Sequence, residues 1–379
     1  MKRSRRMLYL CQCEILAFTA VMLSSLELNQ FRCFESLRLD LQSGLTIFVG
    51  NNAQGKTSIL EAACALLRLQ SPRTSTLADL IRVGPDAGKG FSLRGQFGDS
   101  ELSLRHTARS GRKLAVDGET QGRSAGYLRY SGLVVWIASD DLTLVKDGGG
   151  PRRRYLDFMA SQIYPLYRPA LKAYERALRS RNFLLKRDAS PKWDQIDAYT
   201  KVLIENGEIL TRHRRELVTA LAPLAAASQK QISEREEILG IEYQAASGDD
   251  DDLGAELLHR RSDEQRRRQT LAGPHRDNLE FMVNEMSAAK FASEGQQRTL
   301  ALSLKLAQSR LFIEKTEQPP VLLIDDVFGE LDPERRNALM AAWPEGSQKL
   351  VTTTHLNWLD VDRVEARIWQ VEQAQVKET

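Results

Sequence analysis

The chain has 379 residues, enough for one large domain or two moderate ones. Its hydrophobic content of 42% and charged content of 27% are those of an ordinary globular protein, and a net charge of +3 neither demands nor excludes a nucleic-acid partner, because clustering of charge on one face decides that. The four cysteines, Cys11, Cys13, Cys33 and Cys64, form no C-x-x-C pair and have no His at metal-ligand spacing, which argues against a zinc-type site and for a reduced, cytosolic protein.

Met1-Lys2-Arg3-Ser4-Arg5-Arg6, followed by the apolar run Met7 to Leu23, resembles the basic and apolar regions of a signal peptide. Gln12 and Glu14 interrupt the run, which is too short and too polar for a good spanning helix. No clear small-x-small cleavage site precedes Ser24. Residues 1–21 are therefore read as an over-long start outside the fold, with translation beginning at Met22.

From Ser24 to Val49 the pattern is strand-like: Leu26, Leu28 and Phe31, then Leu37, Leu39 and Leu41 alternating with polar residues. Leu45-Thr46-Ile47-Phe48-Val49 is a short apolar run of the buried-strand kind. It leads into Gly50-Asn51-Asn52-Ala53-Gln54-Gly55-Lys56-Thr57-Ser58, which reads G-x-x-x-x-G-K-T. Ile59 to Leu67 follows with no Pro or Gly and with helix-spaced apolar residues. Strand, Gly-rich turn and helix together make a P-loop. Its glycines let backbone N–H groups close around a phosphate chain, and the helix N-terminus adds partial positive charge. Lys56 would reach the β- and γ-phosphates of ATP, and the Thr57 hydroxyl would sit on Mg²⁺.

After the breaker cluster Gln70–Thr74, three alternating stretches, Phe91–Gly95, Leu102–His106 and Lys113–Gly118, predict a small antiparallel lobe. Leu133–Ile137 reads as a buried strand. The character changes at Gly148-Gly149-Gly150-Pro151. From Arg152 to about Arg268 the chain reads as helical, with an amphipathic helix around Tyr174–Lys186 and a second from Trp193 to about Leu224. Gly248 to Asp252 reads as a solvated acidic loop without EF-hand spacing. The α/β pattern returns at Thr270, with Leu279–Phe281 and Lys290-Phe291 as strand material and a helix from Glu294 to about Glu314. Val321–Ile324 is a continuous apolar run typical of a central parallel strand. Leu350–Thr354 and Ala366–Trp369 read as later strands.

Asp325-Asp326 ends the run Val321–Ile324, where ligands bind in open α/β sheets. Asp325 would hold Mg²⁺ directly or through water, and Asp326 would orient or deprotonate an attacking water. Ser293-Glu294-Gly295-Gln296 opens the helix after Phe291. Two readings stand for it: a capping box between Ser293 and Gln296, or a second anion site of the ABC-ATPase signature type, which meets the γ-phosphate on a partner subunit. Beside the other motifs the signature reading is preferred. Glu330-Leu331-Asp332-Pro333 resembles the D-loop of that class, and His355 follows its strand where such ATPases place a switch histidine. Asp140-Asp141-Leu142 sits where a Q-loop would, without its Gln.

The order of these motifs resembles the RecF family of bacterial recombination mediators, in the ABC-ATPase class with SMC and Rad50. The likeness is carried by Leu26-Glu27-Leu28-Asn29-Gln30-Phe31-Arg32, the P-loop, Ser71-Pro72-Arg73-Thr74, Asp141–Lys146 and Arg152–Asp157. It extends through Arg181–Lys186, Gly273-Pro274-His275-Arg276-Asp277, Gly295–Thr299 and Leu323–Phe328, so that it spans about Leu26 to Trp369. Glu294 in the signature, and Gly329 where the family tends to have Ser, are departures. The resemblance implies an α/β fold, an ABC-ATPase head with a mixed sheet and a small antiparallel lobe. Residues 22–150 and 269–379 would form the head, and 151–268 an inserted helical arm. It further implies weak DNA-dependent ATP hydrolysis, an ATP-dependent homodimer, DNA binding at gaps or ends, and help in loading RecA with RecR and RecO in repair, replication and the SOS response. Arg152, Arg153, Arg154, Arg179 and Arg181 are candidate DNA-phosphate contacts. The alternatives are a transporter ATPase subunit, disfavoured by the long stretch between the P-loop and Asp325, and an SMC-like tether, for which there is too little coiled coil.

Overall fold

The structure, a computed structural model, describes residues 21–74, 76–84, 86–187, 190–233, 237–247, 252–359 and 365–379. The reading of residues 1–21 as an over-long start falls almost wholly outside the described residues, as does most of the acidic loop Gly248–Asp252. In chain order β1 (Ser25–Phe31), β2 (Phe34–Asp40) and β3 (Leu45–Val49) precede α1 (Lys56–Arg68). Then come β4 (Gly90–Phe97), β5 (Ser100–Thr107), β6 (Gly111–Val116), β7 (Glu119–Thr120), α2 (Ser124–Leu128), β8 (Val134–Ala138) and α3 (Leu142–Lys146). The helices α4 (Gly149–Ile163), α5 (Tyr167–Arg187) and α6 (Trp193–Ile232) lead to β9 (Leu239–Gln244), α7 (Leu253–His259) and α8 (Arg261–Arg267). The chain closes with β10 (Asn278–Val283), β11 (Met286–Ser287), α9 (Ala288–Phe291), α10 (Glu294–Thr316), β12 (Val321–Asp325), α11 (Pro333–Ala342), β13 (Lys349–Thr353), β14 (Ala366–Glu372) and β15 (Gln375–Glu378).

The central sheet has the order β15-β14-β3-β13-β12-β8, parallel except for β15. Alternation along its buried strands divides two cores. Ile47, Val135, Ile137, Leu322, Ile324 and Val351 face the helices α4, α6 and α10. Phe48, Val134, Trp136, Leu323 and Leu350 face α1 and the antiparallel sheet β2-β1-β4-β5-β6-β7. α1 lies between the two sheets, which is why nearly every residue from Ile59 to Arg68 is buried and the helix has no polar stripe. Gly95 marks the close approach of lobe and helix: a Cβ there would meet the Ser25 carbonyl at 2.5 Å and Leu66 Cδ2 at 2.8 Å.

The structure differs from the sequence-based expectation at three places. α6 runs through Pro223 to Ile232, since Leu217, Leu221, Ala225 and Ile232 are buried and their packing outweighs the roughly 3 kcal/mol that an interior proline costs. The stretch 151–268 is not all helical: β9 lies within it and pairs antiparallel with β10, Leu239 opposite Val283 through Gln244 opposite Asn278. Lys290-Phe291 ends the short helix α9 instead of a strand. No helix among the described residues is long and apolar enough to cross a membrane.

Candidate nucleotide site

The turn after β3 is held from both sides. The Gly50 N–H donates to the Thr353 carbonyl on β13 (3.2 Å), and a Cβ on Gly50 would lie 2.1 Å from the Val371 carbonyl oxygen on β14. Ala53 and Gly55 have φ of 63° and 108°, the left-handed conformation that turns the chain into α1. A Cβ on Gly55 would press on Cys33 Sγ and the Phe34 ring. Gln54 braces the outer edge, its carbonyl accepting from the Ala374 N–H and its side-chain oxygen from the Gln373 N–H. Asn51, Asn52 and Ala53 are exposed at the tip, and the Ser58 N–H donates to the Gly55 carbonyl (3.0 Å). Lys56 Nζ donates back to the carbonyls of Gly50 (2.6 Å) and Asn51 (2.8 Å). Burial lowers its pKa, opposed by Asp326 and Asp325.

Asp325, the last residue of β12, meets this loop across the sheet. Its Oδ1 accepts from Thr57 Oγ1 (2.8 Å) and from Thr352 Oγ1 (2.7 Å). Burial raises its pKa, while the two hydroxyls and the Arg73 charge act the other way. A hydroxyl and a carboxylate converging at a half-buried point are oxygen donors of the hard type that Mg²⁺ takes. Asp326 turns away from the strand with φ of 51°, its N–H bound to the Thr352 carbonyl (3.2 Å) and hydroxyl (3.0 Å). His355 is exposed, near the same loop: a Cβ on Gly329 would stand 3.8 Å from its Nε2. Its carbonyl accepts from Thr353 Oγ1 (2.9 Å), which in turn accepts from Trp358 Nε1 (3.0 Å), and Trp358 stacks on Phe328 at 4.6 Å.

Ser293 caps α10. Its Oγ accepts from the Gln296 N–H (3.3 Å), and Gln296 Oε1 accepts from the Ser293 N–H (2.8 Å). The capping box is therefore formed. Among the described residues no hydrogen bond or ion pair joins Ser293, Gly295 or Gln296 to the P-loop of the same chain. Glu294 lies 3.6 Å from both Lys146 and Arg298.

The arginines read as phosphate contacts divide. Arg152 is buried, bound to the carbonyls of Leu144, Val145 and Leu279 and to Glu280. Arg181 is buried against Glu264 (2.6 Å), Thr200 and Thr270. Both are structural, because a buried guanidinium needs acceptors on every edge. Arg153 donates to the Asp277 carbonyl (2.7 Å); Arg154 and Arg179 are exposed. Two groups escaped the sequence reading. Arg73 faces Asp325 electrostatically. Lys305 on α10 is buried, pairs with Asp141 (2.6 Å) and donates to the Trp136 carbonyl (2.8 Å), so the position lacking a Q-loop Gln carries a buried ion pair. A lysine inside a helix pattern carries no signal of this.

A family model described as an AAA domain matches residues 25–240. The DNA replication and repair protein RecF of Symbiobacterium thermophilum is 39% identical over 353 residues, covering 89% of this chain and 93% of that protein. The chain belongs to the RecF family. A solved structure of the recombination mediator protein RecF, as RecF-ATP in the RecFOR pathway, aligns with a TM-score of 0.83 at 26% identity, covering 96% of this chain and 99% of that one. An Smc head domain with an extended coiled coil from Pyrococcus furiosus aligns at 0.55 and 15% identity over 94% of this chain and 95% of its own, which shows the shared head fold. In this chain the Gly50–Ser58 loop and the end of β12 meet at the Thr57–Asp325 hydrogen bond.

Proposed function

We propose that this chain binds ATP with Mg²⁺ at the Gly50–Ser58 loop, dimerises on it, and in that state holds DNA during recombinational repair and replication. The observation that carries the reading is the Thr57–Asp325 hydrogen bond. It places a hydroxyl and a carboxylate together beside Lys56, as a metal–triphosphate requires. When bound, Mg²⁺ neutralises phosphate charge; Thr57 and Asp325 are the residues that would hold it. Lys56, now donating to loop carbonyls, would exchange them for phosphate oxygens. Asp326 would orient or deprotonate the attacking water, with His355 close to the γ-phosphate, giving slow hydrolysis that releases the clamp.

Ser293, Gly295 and Gln296 are proposed to meet the γ-phosphate of a second copy. The open N–H groups of the first turn of α10 support this, as does the absence, among the described residues, of a bond from those three residues to their own P-loop. The head would comprise residues 22–150 and 269–379, with 151–268 as the arm, and DNA would bind through exposed cations such as Arg154 and Arg179. RecR and RecO are the proposed partners in loading RecA in the cytoplasm; the RecFOR context of the solved relative supports this.

Sedimentation of the chain from Met22 tests the proposal, with and without ATP and gapped duplex DNA, alongside Lys56→Ala. The expected result is an ATP-dependent dimer that retains DNA, lost in the variant. A chain that stays monomeric with ATP and ignores DNA overturns it.

A further inference from the structure

The loop Ser293–Gln296 is supported from behind by a carboxylate that no motif singles out. Glu237, nine-tenths buried, lies between the end of α6 and β9. Its Oε1 accepts from Gln296 Nε2 (3.0 Å). Its Oε2 accepts from Gln229 Nε2 (2.8 Å) and Ser233 Oγ (3.2 Å). Gln229 is fully buried in the last turns of α6, and its Oε1 accepts from Ser303 Oγ on α10 (2.9 Å). Glu237 thus joins two points of α10, seven residues apart, to the end of the arm helix.

The amide of Gln296 makes this a constraint on geometry. Its oxygen must face the Ser293 N–H to complete the cap, so its NH₂ group faces the other way, where only an acceptor satisfies it. The Glu237 carboxylate supplies that acceptor as a charge-assisted bond. With the amide locked, the Ser293 N–H is occupied, its side chain stays exposed, and the N–H groups of Glu294 and Gly295 remain free of intrahelical partners.

We propose that Glu237 is the positioning residue of the Ser293–Gln296 loop, and that through it the C-terminal turns of α6 set the loop's fit to a phosphate presented by a second copy of this chain. The first half stands on the hydrogen bonds alone; the second rests on the trans reading proposed above.

The test compares the full chain with Glu237→Ala, Glu237→Gln, Gln296→Ala and the double variant Glu237→Ala/Gln296→Ala. Three quantities are read: amide hydrogen exchange over 293–299 without nucleotide, ATP affinity under monomer conditions, and ATP-dependent dimerisation. Loss of one hydrogen bond to a charged acceptor predicts exchange faster by about tenfold or more at 293–297 in Glu237→Ala. Dimerisation weakens by about tenfold on the same footing, while ATP affinity stays within about twofold, since the P-loop is not touched. The double variant shows less than the sum of the two single effects, because both remove the Gln296–Glu237 bond while only Gln296→Ala also removes the cap bond to the Ser293 N–H, and Glu237→Gln, which retains one acceptor oxygen, is intermediate. Unchanged exchange in Glu237→Ala, or additive single effects, overturns the proposal. If the parent chain does not dimerise with ATP, the trans reading fails, and the exchange comparison still decides the positioning role. If Glu237→Ala does not fold, Glu237→Gln carries the same comparison against Gln296→Ala.

Discussion

Thr57 Oγ1 and Asp325 Oδ1 lie 2.8 Å apart although 268 positions separate them in the chain. One opens α1 and the other ends β12, and β13 between β3 and β12 brings them together. The strand β13 also supplies Thr352, whose hydroxyl holds the same carboxylate oxygen at 2.7 Å.

Thr352 is therefore predicted to matter for Mg²⁺ without touching nucleotide. Thr352→Val keeps the buried shape but removes the donor. The expected effect is a loss of roughly 10–100-fold in Mg²⁺ affinity, the usual size for outer-shell partners of a metal ligand. Titration of Mg²⁺ against a fluorescent ATP analogue measures it, and an unchanged midpoint contradicts the assignment.

Arg214 is predicted to be the most costly cation to remove. It is 2% exposed and reaches Asp157 (2.7 Å), Asp277 (3.0 Å), the Tyr167 hydroxyl (2.9 Å) and the Pro274 carbonyl (2.7 Å). Burial disfavours its charge, but the carboxylates and phenols around it outweigh burial and raise its pKa. Arg214→Met leaves two acidic partners uncompensated and should cost about 3–5 kcal/mol in denaturant unfolding. Arg154→Met, on an exposed position, should stay within about 0.5 kcal/mol. Equal effects would show that the buried cluster is not what stabilises this region.

The parallel strands and the P-loop were legible because each imposes a local pattern. Val321–Ile324 is apolar throughout since both its faces are buried, and the loop between β3 and α1 needs glycine at Gly50, where a Cβ would meet the Val371 carbonyl, and at Gly55, where φ is 108°. Burial of charge is not local. Arg152 and Arg181 look in the sequence like Arg154 and Arg179, yet the first pair closes internal networks with Glu280 and Glu264. Lys305 and Glu237 were missed for the same reason: the partners that give them a role, Asp141 for Lys305 and Gln296 for Glu237, are far away in the chain. β9 was hidden because its partner β10 starts 34 residues after β9 ends, and α6 passes Pro223 because packing decides its length.

His275 links the 273–277 turn to α5. Its Nδ1 faces the Tyr174 hydroxyl (2.7 Å) and its Nε2 the Thr270 carbonyl (3.2 Å), which only accepts and so assigns a proton to Nε2. Burial lowers its pKa to about 4. The unfolded chain, with an ordinary value near 6.5, binds more protons between those limits. Stability is fully present above about pH 6.5 and is lost as pH falls toward 4, by up to roughly 3 kcal/mol from this group. Urea unfolding of the parent and His275→Gln across pH 8 to 4.5 tests this. The parent should lose stability relative to the variant as pH falls, and parallel curves contradict it.

Asp326 and His355 should separate hydrolysis from binding. Asp326 occupies the left-handed region at φ of 51°, which Asn adopts at less cost than Ala. Asp326→Asn therefore removes the carboxylate while keeping the turn and its N–H bonds to Thr352. If Asp326 activates or orients water, ATP turnover should fall by about 100-fold, the scale of one general base, while ATP affinity and dimerisation persist. His355→Ala leaves the Thr353–carbonyl bond in place, because only its backbone takes part. It should lower turnover less than Asp326→Asn if its role is to sense phosphate instead of moving a proton. Single-turnover hydrolysis with prebound ATP reads both. Unchanged turnover in Asp326→Asn would remove Asp326 from the chemistry and leave Asp325 as the acidic residue of β12 that the nucleotide site uses.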